Sequence, residues 1–223
     1  MILETTNCDF CNEINNSKNN FFNKNLLKHY QKQGLKTRII CKTKNFFLIP
    51  SVGSISQCHL LLCPLNHFTS YAKLSQDSLE EAMLILNKIM DFVKKEYGYA
   101  IAFEHGSPNI KTGSQSCNHA HIHIIAAQIP LEKILKQKGF ELKKLNNLTD
   151  INSENMIQAP YFLIMNNTGE LWITNDTVSQ SQYLRLLCAK ELGENNALWQ
   201  NNICIDKMIK TNLKFKRHFN EIK

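Results

Sequence analysis

The 223-residue sequence contains no apolar run near the roughly 20 residues that a membrane-spanning helix needs. Its first residues, Met1–Glu4, have neither the basic stretch nor the apolar core of a secretory signal, so we expect a cytoplasmic protein with no membrane association. Hydrophobic residues make up 43% of the chain and charged residues 20%, which argues against collagen, coiled coils and wholesale disorder. The sequence therefore predicts a globular protein of one or two domains.

Cysteine is too scarce for a disulfide scaffold, with eight residues in a chain of this size. Six of the eight lie among apolar residues and are expected to be small core side chains: Cys41, Cys58, Cys63, Cys117, Cys188 and Cys204. Cys8 and Cys11 differ from these, because a C-x-x-C pair is typical of a metal or redox site.

The net charge of +7 favours acidic partners such as nucleotides, phosphates or nucleic acid. Part of this excess lies in Lys207–Lys223, which is also consistent with a solvated helix face. The charge therefore permits a nucleic-acid partner without requiring one.

Hydrophobic periodicity predicts helices and strands in both halves of the chain. Helices are predicted over Phe21–Gln33, from the Ser78–Glu81 capping box to Gly98, and over Leu131–Lys138, Ser179–Leu192 and Ile205–Ile222. Strands are predicted within Thr37–Pro50 as a hairpin and over His59–Pro64, Tyr99–Glu104, His119–Ala126, Tyr161–Met165 and Glu170–Thr174. The polar stretch 141–158 suggests a domain of residues 1–140 and an extension of residues 141–223 with a hairpin and helices.

Three histidines at alternate positions are the most informative pattern. His119, His121 and His123 would share one face of a strand, because side chains alternate with a period of two. The residues alone leave three interpretations open: a solvated face of an edge strand, a three-histidine metal site, or a nucleophilic histidine flanked by two partners.

The segment His119-Ala-His-Ile-His-Ile-Ile125 resembles the signature of the histidine triad (HIT) superfamily. Three upstream segments strengthen the resemblance: Cys8-Asp-Phe-Cys11 is similar to the C-x-F-C of zinc-containing members, Cys58–His67 to G-H-x-L-x-x-P-x-x-H, and Phe103–Gly106 with Gly113–Ser116 to the loop before the triad. The resemblance covers residues 8 to about 130. It implies an α+β HIT-like fold with an antiparallel β-sheet, one long helix and a C-terminal α/β extension.

The resemblance also implies roles for individual residues. His121 would attack the α-phosphate of a nucleotide or dinucleotide, with its tautomer fixed by the carbonyl of His119, while His123 and His59 would contact the phosphate oxygens. Gln115, Ser116 and Glu104 match positions near the substrate. Ser51 stands where nucleoside-binding members have Asp or Asn on the ribose, so ribose recognition is expected to be weaker.

A structural zinc ion is implied as well, because zinc-bearing members hold it with four residues that correspond here to Cys8, Cys11, His67 and His119. Two packed thiols without a metal are the alternative. Arg185 is expected to face solvent rather than to reach a distal phosphate.

The function predicted from these residues is hydrolysis of a nucleotide phosphoanhydride or phosphoramidate, for example a dinucleoside polyphosphate, through a nucleotidyl intermediate on His121. His123 favours hydrolysis, because uridylyltransferases of this superfamily have Gln there. Three rivals remain: a nucleotidyltransferase or phosphorylase, a non-enzymatic nucleotide- or RNA-binding module, and a catalytic metal site on the three histidines. Small family members often form homodimers, and the extension could occupy that surface.

Overall fold

The computed structural model of the protein describes residues 8–15, 20–107, 119–153, 159–178, 180–194 and 198–219. Within these residues, eight strands form one sheet in the order β1-β2-β3-β5-β4-β7-β8-β6, and every neighbouring pair is antiparallel. The strands are β1 (Cys41–Lys42), β2 (Phe46–Pro50), β3 (His59–Pro64), β4 (Ile101–Gly106), β5 (Ile122–Ile125), β6 (Lys143–Leu145), β7 (Tyr161–Met165) and β8 (Leu171–Asn175).

Seven α-helices accompany the sheet in the described part of the chain, which confirms the predicted α+β class. They are α1 (Asp9–Ile14), α2 (Phe21–Asn25), α3 (Leu27–Gln31), α4 (Gln76–Tyr97), α5 (Leu131–Gln137), α6 (Tyr183–Glu191) and α7 (Ile205–Phe219). None of the helices in the described ranges has the length and apolar character needed to cross a membrane.

The long helix α4 begins three residues earlier than the capping box predicts. Its N-cap is Ser75, whose hydroxyl accepts a hydrogen bond from the N–H of Ser78. Glu81 does not cap the helix, because its carboxylate accepts hydrogen bonds from Thr43 and Asn45 in the turn between β1 and β2. Gly98, at φ 86°, ends the helix as predicted.

The two faces of the sheet are covered by different elements. Helix α4 packs on one face against a large apolar core that includes Leu48, Leu62 and Ile124. The opposite face carries Phe103, Ile125 and Phe162 and is packed by α5 and α6, while α1 covers its β2–β3 side. This second face also holds His59 and His123, so the candidate chemistry lies away from α4.

The remaining departures from the predicted elements are local. Residues 9–14 form a helix outside the predicted elements, and the helix predicted over residues 21–33 breaks into α2 and α3. Strand β6 lies in the polar stretch 141–158, for which no strand is predicted. Strand β5 begins only at Ile122.

The C-terminal residues extend the same sheet. Strand β7 pairs with β4 from Ala102↔Met165 to Gly106↔Tyr161, and β8 and β6 follow it outward. Division at residue 140 stays a prediction, and in the fold the two parts share one sheet.

Candidate active site and metal centre

His59 and His123 lie on adjacent strands and are joined directly. The Nε2 atom of His59 is 2.8 Å from Nδ1 of His123. Phe103 on β4 stacks on the His123 ring with 4.8 Å between ring centroids and 19° between planes. The backbone pairing of β3, β5 and β4 therefore places both imidazoles on the same face of the sheet as Phe103.

Backbone contacts set the tautomers of this pair. The N–H of Ile55 donates to Nδ1 of His59 over 3.4 Å, so the ring proton of neutral His59 is on Nε2. That proton is donated to Nδ1 of His123. The proton of neutral His123 is therefore on Nε2, where it can be donated to a ligand.

His121 precedes β5 and has the opposite tautomer. Its Nδ1–H donates to the carbonyl of His119 over 2.8 Å, so Nε2 carries the lone pair. The His121 and His123 rings lie 4.7 Å apart and are both partly exposed. A ring nitrogen with a lone pair and a ring N–H thus stand side by side, which suits nucleophilic attack with proton donation.

Burial keeps these rings neutral. It lowers the pKa of His121 to about 4, with smaller effects from neighbouring groups. The pKa values of His59 and His123 are held well below the ordinary value, first by burial and then by nearby positive charges that include Arg185. At neutral pH all three imidazoles are therefore uncharged, and the lone pair of His121 is available.

A second cluster lies at the N-terminal side of this strand. Cys8, Cys11, His67 and His119 bring four ligand atoms within 4.8 Å of one another. Nδ1 of His119 is 3.4 Å from Sγ of Cys8 and 3.5 Å from Sγ of Cys11, and Nδ1 of His67 is 3.4 Å from Sγ of Cys11. The cluster could hold one metal ion.

The donor chemistry of the cluster fits a cation. His119 directs Nε2 to the carbonyl of Pro64 at 2.8 Å, which places its proton there and leaves the Nδ1 lone pair facing the sulfurs. The pKa of Cys8 is lowered to about 3, chiefly by its hydrogen bond with Cys11 and then, against burial, by His119. A thiolate and an oriented imidazole are the ligand forms that metals require.

Helix α1 presents the two cysteines. Cys8 is its N-cap, and Sγ of Cys8 accepts a hydrogen bond from the N–H of Cys11 over 3.5 Å, so both sulfurs lie on the first turn. Glu13 on the same helix forms a buried ion pair with Arg38, 2.7 Å long. This pair ties α1 to the residues that lead into β1.

A model of the HIT domain matches residues 32–128, which include His59, His67 and the three alternating histidines. Residues 32–128 of the chain therefore match a HIT domain. The matched region ends before β6, so α1 and the C-terminal strands and helices lie outside it.

Solved HIT structures are distant relatives. A HIT family hydrolase from Clostridium thermocellum is 18% identical over 54% of this chain and 90% of that protein, with a TM-score of 0.34. A hypothetical histidine triad nucleotide-binding protein from Sulfolobus tokodaii is 21% identical over 53% and 67%, with a TM-score of 0.33. The aprataxin ortholog from Schizosaccharomyces pombe is 20% identical over 44% and 56%, with a TM-score of 0.28. No curated protein matches the chain.

Glu104 lies on the opposite face of the sheet from His59 and His123, unlike the substrate contact that the resemblance implies. It alternates with Phe103 on β4 and therefore points to the α4 face. It is 1% exposed, and its carboxyl oxygens accept hydrogen bonds from the N–H of Tyr71 (2.9 Å) and the hydroxyl of Tyr161 (2.6 Å). Burial raises its pKa to about 8, so it is a core carboxyl group.

The other predicted substrate residues have different outcomes. The N–H of Ser51 donates to the carbonyl of His59 over 2.8 Å, which continues the β2–β3 ladder and places Ser51 opposite His59 on the same face. Ser51 is only 4% exposed. Gln115 and Ser116 fall outside the described residues, and their role stays a prediction.

Two charged residues from beyond the HIT match also enter this region. Arg185 on α6 is 3% exposed, so its predicted solvent-facing position is wrong. Asp176 follows β8, and its carboxylate accepts a 2.7 Å hydrogen bond from Nε2 of His105 on β4. Only strand pairing and helix docking bring these side chains near the histidines. One indication of such a role is present in the sequence, which is that Arg185 lies near the start of a predicted helix.

Proposed function

We propose that the protein hydrolyses a phosphoanhydride or phosphoramidate bond of a nucleotide or dinucleotide through a nucleotidyl group carried on His121. One observation carries the proposal. The hydrogen bond from His121 to the carbonyl of His119 leaves the Nε2 lone pair of a neutral imidazole beside the donor N–H of His123. The match of residues 32–128 to the HIT domain supports a nucleotide-related reaction.

In the first step, Nε2 of His121 attacks the α-phosphorus. A P–N bond forms, the P–O or P–N bond to the leaving group breaks, and the leaving group takes the bonding electron pair. The Nε2–H of neutral His123 donates a hydrogen bond to that atom and stabilises the charge that develops there, and the leaving group takes up a proton from solvent. The His121 ring becomes cationic, and its hydrogen bond to the carbonyl of His119 stabilises that charge.

In the second step, water attacks the same phosphorus. A P–O bond forms, the P–N bond breaks, and its electron pair returns to Nε2 of His121. The proton lost by the attacking water passes to solvent and replaces the one that the leaving group took up. The products are a nucleoside monophosphate and the leaving group, and the net reaction consumes one water molecule.

His59 acts through His123 in this scheme. Because His59 donates to Nδ1 of His123 and accepts from Ile55, it keeps the His123 proton on the nitrogen that faces the leaving group. Ser51 lies opposite His59 and is a candidate contact to the sugar. Gln115 and Ser116 are candidate contacts to the phosphate.

The metal at the second cluster is proposed to be zinc with a structural role. Zinc ligand distances of ~2.0–2.3 Å place ligand atoms about 3.3–3.8 Å apart in a tetrahedron, and the three measured separations agree with that range. When bound, zinc would cross-link α1 to the residues around His67 and His119. No step of the reaction uses it.

Isotope labelling tests the function and separates it from its rivals. The wild-type protein is screened against dinucleoside polyphosphates and nucleoside phosphoramidates in H₂¹⁸O, with and without inorganic phosphate and a hexose 1-phosphate. Hydrolysis predicts one ¹⁸O atom in the nucleoside monophosphate. Transfer to phosphate or sugar would identify a phosphorylase or transferase. Binding without turnover under all conditions would contradict catalysis and favour a binding module.

A further inference from the structure

The chain has only three arginines among 26 basic Lys and Arg residues, and each has a different environment. Arg217 on α7 is exposed. Arg38 is 3% exposed, and its charge is balanced by the buried carboxylate of Glu13. Arg185 is equally buried, and its guanidinium Nη2 donates to the backbone carbonyl of Gly53. Because burial of a cation is costly, the place where Arg185 is held is informative.

The contact with Gly53 places Arg185 against the loop that holds His59. Gly53 belongs to the loop between β2 and β3, and Ile55 of that loop donates its N–H to His59. A Cβ on Gly53 would lie 2.8 Å from Nη2 of Arg185 and 2.7 Å from Cα of Trp199. A larger residue at position 53 would therefore clash with the guanidinium, which packs directly against the backbone of the loop that contacts His59.

The backbone before Arg185 is held in an uncommon conformation. Gln182, the N-cap of α6, has φ 59° and ψ 20°, which is the left-handed region that residues other than glycine rarely adopt. Its side-chain Oε1 accepts a hydrogen bond from the N–H of Trp199 over 3.4 Å. Such a conformation persists only where the surrounding structure enforces it, and here it sets the start of the helix that carries Arg185.

The electrostatics agree with this placement. The charge of Arg185 contributes to the lowered pKa values of both His59 and His123. A buried cation beside neutral imidazoles makes the region attractive to an anion, and the planar fork of a guanidinium suits phosphate oxygens.

We propose that Arg185 is a substrate-binding residue that contacts an oxygen of the substrate phosphate beside His59 and His123. This proposal rests on the proposed nucleotide chemistry. It makes the C-terminal extension a part of the active site, because the residue that recognises the phosphate comes from α6, outside the HIT match. The ligand class it selects is a nucleotide with an anionic phosphate group, and not a nucleoside.

Paired binding measurements test the proposal. Calorimetry is used to select the nucleoside monophosphate that binds wild type best among AMP, GMP, CMP and UMP, and its affinity is compared with that of its nucleoside. We expect Arg185→Gln to lower the affinity for the monophosphate at least tenfold and the affinity for the nucleoside less than twofold. Arg185→Lys keeps the positive charge but lacks the planar guanidinium, so its affinity for the monophosphate should fall severalfold. The surface control Arg217→Gln should leave both affinities unchanged.

The ratio of the two affinities within each variant separates phosphate contact from loosened packing, which would weaken both ligands together. An unchanged ratio in Arg185→Gln, or in Arg185→Lys if the Gln variant does not fold, would overturn the role of Arg185. Turnover by wild type in the labelling experiment would leave the proposed function standing in that case. Equal binding of nucleotide and nucleoside by a wild-type protein without turnover would contradict both proposals.

Discussion

The candidate metal cluster and the candidate active site use neighbouring histidines in opposite ways. His119 donates its Nε2–H to the carbonyl of Pro64 and directs Nδ1 to the sulfurs of Cys8 and Cys11. His121, two residues on, donates its Nδ1–H to the carbonyl of His119 and leaves Nε2 for the substrate. The imidazoles are chemically the same, so the position of a backbone carbonyl decides which nitrogen can act.

The largest expected effect is on the nucleophile itself. His121→Ala should lower kcat by about three orders of magnitude or more, because no other group in the proposed scheme accepts the nucleotidyl group. Nucleotide affinity and Tm should change little. The check is single-turnover kinetics with mass spectrometry of the trapped protein, in which wild type carries the label on His121. More than about a tenth of wild-type kcat in the variant would contradict covalent catalysis, since loss of a nucleophile normally costs far more.

Substitution of His59, the hydrogen-bond partner of His123, should have the next largest effect. His59→Phe removes the donor to Nδ1 of His123, so the His123 proton is no longer held on Nε2 and the hydrogen bond to the leaving group is weakened. We expect kcat to fall by roughly 10–100-fold, at or below the usual cost of losing a hydrogen-bond donor to the transition state. His59→Gln retains an N–H donor and should recover part of the loss. Steady-state kinetics of both variants measure this, and equal losses in both would argue against a role in setting the His123 tautomer.

Substitutions in the candidate metal cluster should lower the stability of the protein more than its activity. Cys8→Ser or Cys11→Ser should release about one zinc per chain by elemental analysis and lower Tm, with ~2–4 °C lost for each kcal/mol in a chain of this size. Activity should persist in part at low temperature, although α1 also carries Phe10, whose ring lies 5.7 Å from that of His121. Chelation that stopped turnover without lowering Tm would show that the metal takes part in the reaction.

The smallest effect is expected on the α4 face of the sheet. The pKa of Glu104 is raised to about 8 from an ordinary value of 4.5, so the native state retains a proton that the unfolded state releases. Stability from this group is complete below about pH 4.5 and is lost as pH rises towards 8. Glu104→Gln should flatten the fall in Tm between about pH 5 and 8 and leave kcat near wild type, as thermal melts and assays would show. A large loss of kcat would return Glu104 to the active site.

Alternation and motif spacing could be read from the sequence because they depend on local geometry. The alternating histidines from His119 to His123 and the spacing of Cys8 and Cys11 pointed to both clusters. The resemblance of the segment around β3 to zinc-bearing HIT members added His67 to the candidate metal ligands. These residues meet because helix α1 and the residues after β3 converge on the residues before β5. Among the contacts of imidazoles with backbone carbonyls, only that of His121 could be expected in advance.

Long-range docking could not be predicted in the same way. The periodicity around Arg185 predicts a helix but does not say which side of that helix meets the β2–β3 loop. The face on which Glu104 lies depends on which residues of β4 point to each side of the sheet. Phe103 stacks on His123, so Glu104, the next residue, points to the opposite side. Strand β6 is short and rich in lysine, so its own residues do not predict a strand. It forms a strand by pairing with β8.

The order of the strands has a consequence for folding and solubility. Without the C-terminal residues, β4 would be an edge strand, with unpaired backbone groups along Ile101–Gly106 that invite pairing with another chain. In the described structure β7 occupies that edge, and the outermost strands are instead β1 and β6, of two and three residues. A chain cut after residue 140 would therefore be expected to self-associate through β4, because the covering strand would be missing.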